Sequence, residues 1–167
     1  EALLDGKAAT LSANIATADE TRSMRDILFS AEGARLTGNV TQDATGLLTG
    51  ELTVDASDIS NAAALFLTQA KGAVKANIRL EPQNGEQRAS LDGTVRGLEL
   101  ETVSLDSADI QATAADLFGV PAIQGTIRAN GLKTAGIDVA RLEADASSNG
   151  SNTAFNARTS LANSTDI

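Results

Sequence analysis

The sequence predicts an all-β fold in which antiparallel strands follow one another along the chain. Apolar and polar residues alternate over many short segments, and this period of two is typical of strands with one buried face. Short turns join the segments, which favours pairing between strands that are neighbours in sequence. The third observation is an irregular internal repeat, which indicates an extended structure built from similar units.

The repeat is clearest between residues 89–118 and residues 34–66. The segment ASLDGTV in the first matches ARLTGNV in the second, and LDSADI matches VDASDI. A weaker third copy covers residues 122–146. We therefore interpret residues 1–167 as one segment of an elongated repeat domain. Because strand-like alternation begins soon after Glu1, we expect the chain to be an internal fragment of a longer protein.

The composition narrows the possible functions. The chain has 167 residues, 42% of them hydrophobic, but no Trp, no Tyr and only four Phe. A compact globule of this length normally contains larger aromatic side chains, so a thin structure of small aliphatic residues fits better. The net charge of -9 argues against binding to nucleic acids and to anionic membrane surfaces. Cysteine and histidine are absent, which removes the usual zinc and haem ligands and most nucleophile–base pairs.

Strand-like alternation accounts for most of the chain. In residues 9–17, Leu11 and Ile15 point to one face, and Thr10 and Asn14 to the other. The other strand predictions rest on the same period of two, except the one at residues 24–29, which rests on the apolar run Ile27-Leu28-Phe29. In order along the chain they cover residues 24–29, 34–40, 48–56, 73–80, 87–95, 98–112, 122–129, 137–146 and 153–161.

Interruptions of the alternation predict the other elements. Residues 57–71 contain a run of alanines after two residues that can cap a helix, so a short helix is predicted there, ended by Gly72. A helical turn is predicted at residues 114–118. The sequence PQNG at residues 82–85 predicts a hairpin turn, because Asn-Gly accepts positive φ.

Three smaller features complete the prediction. The apolar residues Leu98 and Leu105 fall in opposite phases of the alternation, which predicts a bulge or bend near residues 101–102. A turn is expected at residues 147–152, where Ser, Asn and Gly are concentrated. Residues 163–167 are expected to fray, as chain ends commonly do.

Four of the predicted strands carry a glycine in the pattern apolar-x-Gly-x-apolar. These glycines are Gly38, Gly50, Gly93 and Gly125. A glycine inside a strand lets a sheet bend or lets another group approach closely. We expect the four to lie on one line and to curve the sheet, either as simple twist points or as the crease of a sheet folded around an apolar groove.

Two pairs of carboxylates recur with the repeat, Asp55 with Asp58 and Asp106 with Asp109. Ligation of calcium is one interpretation, but neither pair lies in a loop with the further oxygen ligands that calcium needs. Turn formation or helix capping is the interpretation that we favour. The sequence contains no Gly-rich phosphate loop and no arrangement that activates a nucleophile, so neither an enzyme nor a cofactor is predicted.

Parts of the chain resemble a known family. Residues 114–132, AADLFGVPAIQGTIRANGL, and residues 136–146, GIDVARLEADA, resemble repeats of the TamB family. The segment LDGTV at residues 91–95 recurs in that family and in the wider AsmA-like group. The resemblance covers most of the chain, from about residue 34 to residue 161. It implies an elongated antiparallel β-taco, a long sheet folded over so that its concave side is apolar, with one or two short helices.

The resemblance also implies a location and a function. Proteins of this family are anchored in the inner membrane and extend into the periplasm. They are associated with phospholipid movement between the inner and outer membranes and with assembly of outer-membrane proteins, together with a barrel partner, TamA. This chain is accordingly expected to form part of a hydrophobic groove for phospholipid acyl chains. Contact with TamA is expected through another part of the full-length protein.

Alternation places a set of apolar residues on one side of their strands, and these are the predicted groove residues. They are Leu36, Val40, Leu52, Val54, Ile78, Leu80, Leu91, Val95, Ile123, Ile127, Val139 and Phe155.

A second interpretation keeps the strands but closes the core. The chain would then be a structural or adhesive β-solenoid or sandwich module of a cell-surface protein. Low aromatic content and acidic charge fit both interpretations. A groove should carry lipid on purification, whereas a closed core should not.

Overall fold

The computed structural model of this chain describes residues 2–4, 7–64, 69–149 and 152–161. Within these ranges it contains eleven strands and one short helix. In chain order they are β1 (Ala2–Leu4), β2 (Lys7–Ala18), β3 (Thr21–Ala31), β4 (Ala34–Gln42), β5 (Leu48–Ala56), α1 (Ser60–Ala64), β6 (Ala70–Gln83), β7 (Glu86–Leu100), β8 (Val103–Ala115), β9 (Ala122–Thr134), β10 (Ile137–Asn149) and β11 (Asn152–Leu161).

The strands form one sheet in the order of the sequence. Each strand pairs antiparallel with the next, from β1 through to β11. Apart from residues 57–69, which include α1, the connections are only a few residues long and leave no room for a crossover. The sheet is not closed, because in the described residues β1 pairs only with β2, and β11 only with β10. The prediction of an all-β fold with antiparallel neighbours is confirmed.

The sheet is a single layer. The extensive contacts among its described elements join strands that are consecutive in sequence, and α1 lies against β6. The chain exposes 11206 Å² of surface, whereas a compact protein of the same mass exposes about 7,800 Å². Few apolar residues are fully buried in such a structure. Those described as buried are Ile27, Ala31, Ala56, Ala70, Ala108, Ala129 and Val139.

Alternation gives the sheet one apolar and one polar face. Directly paired residues share a face, so the register carries each face from strand to strand. On the apolar face, Leu36 pairs with Val54. On the polar face, Arg35 pairs with Asp55, and Asp55 in turn pairs with Lys75.

Strands β4 and β5 cross closely at Gly38 and Gly50. A Cβ added to Gly38 would overlap the carbonyl oxygen of Glu51, and one added to Gly50 would overlap the carbonyl oxygen of Asn39. Both added atoms would stand on the apolar face, where the backbones of β4 and β5 approach too closely to leave room for a Cβ at either position. We call this close approach the crease.

The four motif glycines do not form the predicted single line. All four lie on the apolar face, but the register places Gly38 and Gly125 in one row, with Gly93 and Gly50 in the rows on either side. A Cβ added to Gly93 would lie at an ordinary distance of 3.5 Å from the Lys75 carbonyl oxygen. The prediction of one line is wrong because the glycines fall at different heights once the strands are paired.

The predicted helix of residues 57–71 is shorter than expected. Its start is confirmed by α1, but the chain is already extended at Ala70, and Gly72 lies inside β6 instead of ending the helix. The carbonyl oxygen of Gly72 accepts a hydrogen bond from the N–H of Ile59, and Lys71 pairs with β7. Pairing in the sheet therefore outweighs the helical tendency of this segment. Residues 65–68 lie outside the described part of the chain.

The predicted helical turn at residues 114–118 is wrong. Ala114 and Ala115 end β8, and Ala114 pairs with strands on both sides. The chain then turns at Asp116, which has a φ of 52°, and the Asp116 carboxylate accepts a hydrogen bond of 2.9 Å from the N–H of Val120. Ala114 and Ala115 adopt an extended conformation because neighbouring strands supply their backbone partners. Helix propensity depends on local sequence alone and does not include this tertiary effect.

The change of phase between Leu98 and Leu105 has a different cause from the one predicted. Leu100 ends β7 and Val103 begins β8, so residues 101–102 form the connection of a hairpin rather than a bulge within one strand. Leu98 pairs directly with Leu105 across this hairpin. Their opposite phases follow from the reversal of the chain.

The two remaining turn predictions differ in outcome. At the β6–β7 turn, Asn84 and Gly85 have φ values of 55° and 81°, as expected for an Asn-Gly hairpin. The turn predicted at residues 147–152 is tighter, since β10 continues to Asn149 and β11 begins at Asn152. Residues 163–167 lie outside the described part of the chain.

Candidate functional site

The apolar face is continuous across ten strands, from β2 to β11. Two neighbouring rows of paired residues show this continuity. The first row contains Leu11, Phe29, Leu36, Val54, Ala76, Gly93, Ile110, Ile127, Ala144 and Ala157. The second contains Ile27, Gly38, Leu52, Ile78, Leu91, Ala112, Gly125, Ala146 and Phe155. Both rows cross the sheet without a charged residue.

The register brings all twelve predicted groove residues to this face. Val139 lies one residue out of phase with the rest of β10, but a register shift follows it and it pairs with Leu161. By alternation Leu161 shares the face of Phe155, so the shift returns Val139 to the apolar side. Eight of the twelve are half-buried. These are Leu36, Val40, Leu52, Val54, Ile78, Leu80, Leu91 and Val95.

Exposure on the apolar face increases toward both ends of the sheet. The side chains at the centre are half-buried by their neighbours, whereas Leu11 and Ile15 in β2 are each 74% exposed. At the other end Phe155 in β11 is 77% exposed, and Ile127 is 41% exposed. The face is thus accessible from both ends, and α1, which contacts β6, is the one described element outside the sheet.

Sequence reasoning missed several members of the face. Met24 and Ile27 both belong to it although they are three residues apart, because a bulge at Asp26 shifts the phase of β3. The alternation on which the prediction relied is therefore interrupted in this strand. Leu11 and Ile15 do follow the alternation and could have been included. Phe29 and Ile110 are further missed members.

Polar side chains hold the β3 bulge in place. Asp26 has a φ of 52°, and its N–H donates to Asn39 Oδ1 at 2.9 Å. Asn14 Nδ2 donates to Asp26 Oδ2, also at 2.9 Å. These bonds join β2, β3 and β4, so the bulge that turns Met24 and Ile27 to one side is specified by named residues on three strands.

The opposite face is polar and carries charges of alternating sign. Lys75 lies 3.4 Å from Asp55, and Arg79 lies 2.6 Å from Glu51, with all four side chains well exposed. Exposed pairs of this kind contribute little to stability, about 0 to 1 kcal/mol each. They keep one side of the thin sheet strongly hydrated.

The depressions found in the middle of the sheet also lie on the polar face. One of about 550 Å³ runs across β7 to β10 between two rows of hydroxyl, amide and carboxylate side chains. Another of about 380 Å³ continues it across β5 to β7, and the two share Ser90 and Asp92. The depressions described for the middle of the sheet thus lie on the polar face and not on the apolar one.

The carboxylates of Asp55 and Asp58 have local structural roles. Asp58 accepts hydrogen bonds from the N–H and hydroxyl of Ser60 at the start of α1, as the capping interpretation predicts. The Ser60 hydroxyl bond is the main cause that lowers the pKa of Asp58 below its ordinary value of 3.8. Asp55 pairs with Lys75, and Asp109 lies opposite Arg128 on the polar face. Among the described residues there is no group of three or more acidic side chains that could hold a metal ion.

Within the described ranges, no helix has the length and apolar character needed to cross a bilayer. Comparison of the chain with family models, curated proteins and solved structures gave no match.

Proposed function

We propose that this chain is a lipid-carrying segment of a periplasmic protein and holds phospholipid acyl chains along its apolar face. The observation that carries this proposal is the continuous apolar face of β2 to β11, in a sheet that is a single layer in the described residues. A soluble chain rarely leaves a contiguous apolar surface of this extent exposed unless something binds there.

The dimensions of the face suit an acyl chain. Ten strands spaced by about 4.8 Å extend over about 43 Å across the sheet. One acyl chain spans about half of a bilayer's hydrocarbon core, or about 15 Å. Each methylene removed from water contributes about 0.8 kcal/mol, so several strands acting together can hold one chain. The phosphate-bearing head group would stay in water beyond the edge of the face.

The repeated structure favours movement of a bound lipid over fixed binding. Successive strands present similar aliphatic residues at the same height, such as Leu52, Ile78 and Leu91. A lipid that shifts by one strand exchanges one set of contacts for a similar set, which avoids a deep energy minimum. The resemblance to TamB repeats supports phospholipid as the cargo, moving between the inner and outer membranes.

The same resemblance supports the wider setting of the proposal. The full-length protein would be anchored in the inner membrane and would assist assembly of outer-membrane proteins. Its contact with the barrel protein TamA would involve another part of the full-length protein. This segment contributes the groove alone.

Uptake of lipid by the purified chain tests the proposal. The chain is extracted gently and analysed by native mass spectrometry for co-purified phospholipid. It is then delipidated and titrated with a fluorescent phospholipid in the presence of either unlabelled phospholipid or its water-soluble glycerophosphate head group. We expect saturable uptake that unlabelled phospholipid abolishes and the head group leaves unchanged, because the apolar face contacts only the acyl chains.

Two results would contradict the proposal. Absence of both co-purified lipid and uptake in a folded sample would favour the structural module with a closed core. Competition by the head group would show that the protein recognises the head group and not the acyl chains.

A further inference from the structure

A polar depression lies at the end of the sheet where β2 turns into β3 and β4 into β5. It has a volume of about 400 Å³, and its polar lining residues are Thr17, Glu20, Arg22, Gln42 and Asp43. Three of these belong to one row of paired residues, because Thr17 pairs with Arg22 and Arg22 with Gln42. Glu20 belongs to the β2–β3 turn and Asp43 to the β4–β5 loop. Three strands and two loops therefore form the depression.

The depression adjoins the apolar face. In the neighbouring row of the same three strands, Ile15 pairs with Met24, and Met24 with Val40. Residues two apart on a strand face the same way, so Arg22 stands on the same face as Met24, about 6.6 Å further along β3. Met24 is 41% exposed. An acyl chain that lies on the apolar face at Met24 therefore has Arg22 beside its end, at a distance that a glycerol unit with its ester groups can span.

The depression combines one cation with two anions. Among the described residues Arg22 forms no salt bridge, so its guanidinium is available to an external anion. The hydrogen bonds that Thr45 and Leu47 donate to Asp43 all end on Oδ1. These bonds leave Oδ2 of Asp43 to accept from another donor. The second carboxylate belongs to Glu20, which is exposed in its turn.

We propose that this depression binds the head group of a phospholipid whose acyl chains lie on the apolar face, and that it selects a zwitterionic head group with a primary ammonium. The guanidinium of Arg22 binds the phosphate with two parallel hydrogen bonds, the geometry that arginine favours. Thr17 and Gln42 place a hydroxyl and an amide on either side of it. Glu20 and Asp43 accept from the ammonium. The inference rests on the proposed function, because acyl binding brings the head group to the depression.

Two other classes of head group fit the depression less well. An anionic head group without an amine would bring its negative charge close to Glu20 and Asp43, with Arg22 alone to offset the repulsion. A quaternary ammonium has no N–H to donate and is typically held by aromatic side chains. No described aromatic residue lines this depression. A primary ammonium donates three hydrogen bonds, as the lysine side chain does, and so matches two carboxylates.

Competition between lipids that differ only in the head group tests the inference. The chain is loaded with a phospholipid that carries a fluorescent label on one acyl chain. It is then titrated with unlabelled phosphatidylethanolamine or phosphatidylglycerol of identical acyl chains. We expect the ethanolamine lipid to displace the label at a concentration several-fold lower than the glycerol lipid. Free glycerophosphoethanolamine should displace nothing over the same range, because exposed polar contacts are weak without the acyl chains. This arm separates a lipid site from a site for free phosphate.

Variants that remove one charge test the role of each residue. Glu20→Gln should reduce the preference for the ethanolamine lipid several-fold, because the ammonium loses a partner. Glu101→Gln makes the same change in the β7–β8 turn, at the opposite end of the strands, and should leave the preference unchanged. Arg22→Gln should weaken binding of both lipids several-fold. Arg25→Gln is its control, since Arg25 pairs with Asn14 on the polar face of the same strand.

Three outcomes would overturn the inference. Equal displacement of the label by both lipids would exclude selection of the head group and leave acyl binding on the apolar face intact. A preference for the ethanolamine lipid that survives both Glu20→Gln and Arg22→Gln would place recognition elsewhere on the chain. If the folded chain takes up no phospholipid of either kind, the proposed function fails and this inference fails with it.

Discussion

The side-chain amide of Gln87 pairs with the backbone of Leu48 as a neighbouring strand would. The N–H of Leu48 donates to Gln87 Oε1 at 2.6 Å, and Gln87 Nε2 donates to the carbonyl oxygen of Leu48 at 3.0 Å. Pairing between β5 and β6 starts only at Gly50, and Pro82 in β6 has no N–H with which to extend it. Gln87 pairs with Pro82 in the adjacent strand, and its amide supplies the missing donor. It is 1% exposed, the least accessible large side chain described.

Gln87→Ala should therefore destabilise the fold by about 2–4 kcal/mol, because two backbone groups of Leu48 lose their partners. Urea denaturation measures the change. Gln111→Ala removes the same side chain from an exposed position on the polar face, and should stay within about 0.5 kcal/mol of the parent. Equal effects of the two variants would mean that the Leu48 pairing contributes nothing.

The crease between β4 and β5 predicts how replacing its glycines by alanine changes the stability of the fold. Gly38→Ala and Gly50→Ala should each destabilise by about 1–3 kcal/mol or more, because the added methyl group meets the neighbouring backbone. Gly93→Ala is the matched control from the same sequence motif. Its added Cβ meets only ordinary contacts, so the change should be neutral or stabilising by about 0.4–1 kcal/mol. Thermal unfolding of the three variants measures these changes in stability. If Gly93→Ala were the most destabilising of the three, the close approach at Gly38 and Gly50 would be contradicted.

Alternation predicted most of the fold because residues two apart on a strand face the same way regardless of what lies beyond them. That local rule placed Leu36, Val54 and Ile78 correctly on one face. It failed in β3, where the bulge at Asp26 depends on contacts with Asn14 and Asn39 in two other strands. Local patterns contain no information about such partners.

The helix and turn errors have the same origin. Ala114 and Ala115 favour a helix locally, but two flanking strands extend them. The role of Gln87 could not be predicted either, because it depends on Pro82 in the adjacent strand and on Leu48 at the start of β5. For the candidate site, sequence alone could assign the apolar side chains to one face. It could not tell whether a second layer would cover that face, because this depends on how far the strands continue to pair in sequence order.

The loop between β4 and β5 should lose stability in acid. The carboxylate of Asp43 accepts bonds from the hydroxyl and N–H of Thr45 and from the N–H of Leu47. The Thr45 hydroxyl bond is the largest of the causes that lower the pKa of Asp43 below its ordinary value of 3.8. A lowered pKa in the folded state means that the stabilisation is complete above the unfolded value and is lost as the pH falls through the folded value.

Loosening of this loop should thus begin below about pH 4. NMR titration of the Asp43 carboxyl carbon should give a midpoint below 3.8, and Thr45→Ala should raise that midpoint toward the ordinary value. A midpoint at or above 3.8 in the parent chain would contradict the assigned hydrogen bonds.

Lipid uptake should depend on which face of one strand carries a new charge. Ile123 and Gln124 are neighbours in β9 on opposite faces, and both side chains are exposed. Ile123→Glu places a carboxylate on the apolar face, where a bound acyl chain would leave it without water. We expect this variant to reduce uptake of fluorescent phospholipid at least several-fold, with the fold retained because Ile123 is already 42% exposed. Gln124→Glu adds the same charge on the polar face and should bind lipid as the parent does.

Circular dichroism on both variants separates a loss of binding from a loss of folding. If both variants reduce uptake equally, the effect is one of net charge, and if neither does, the acyl chains do not lie along the apolar face at β9.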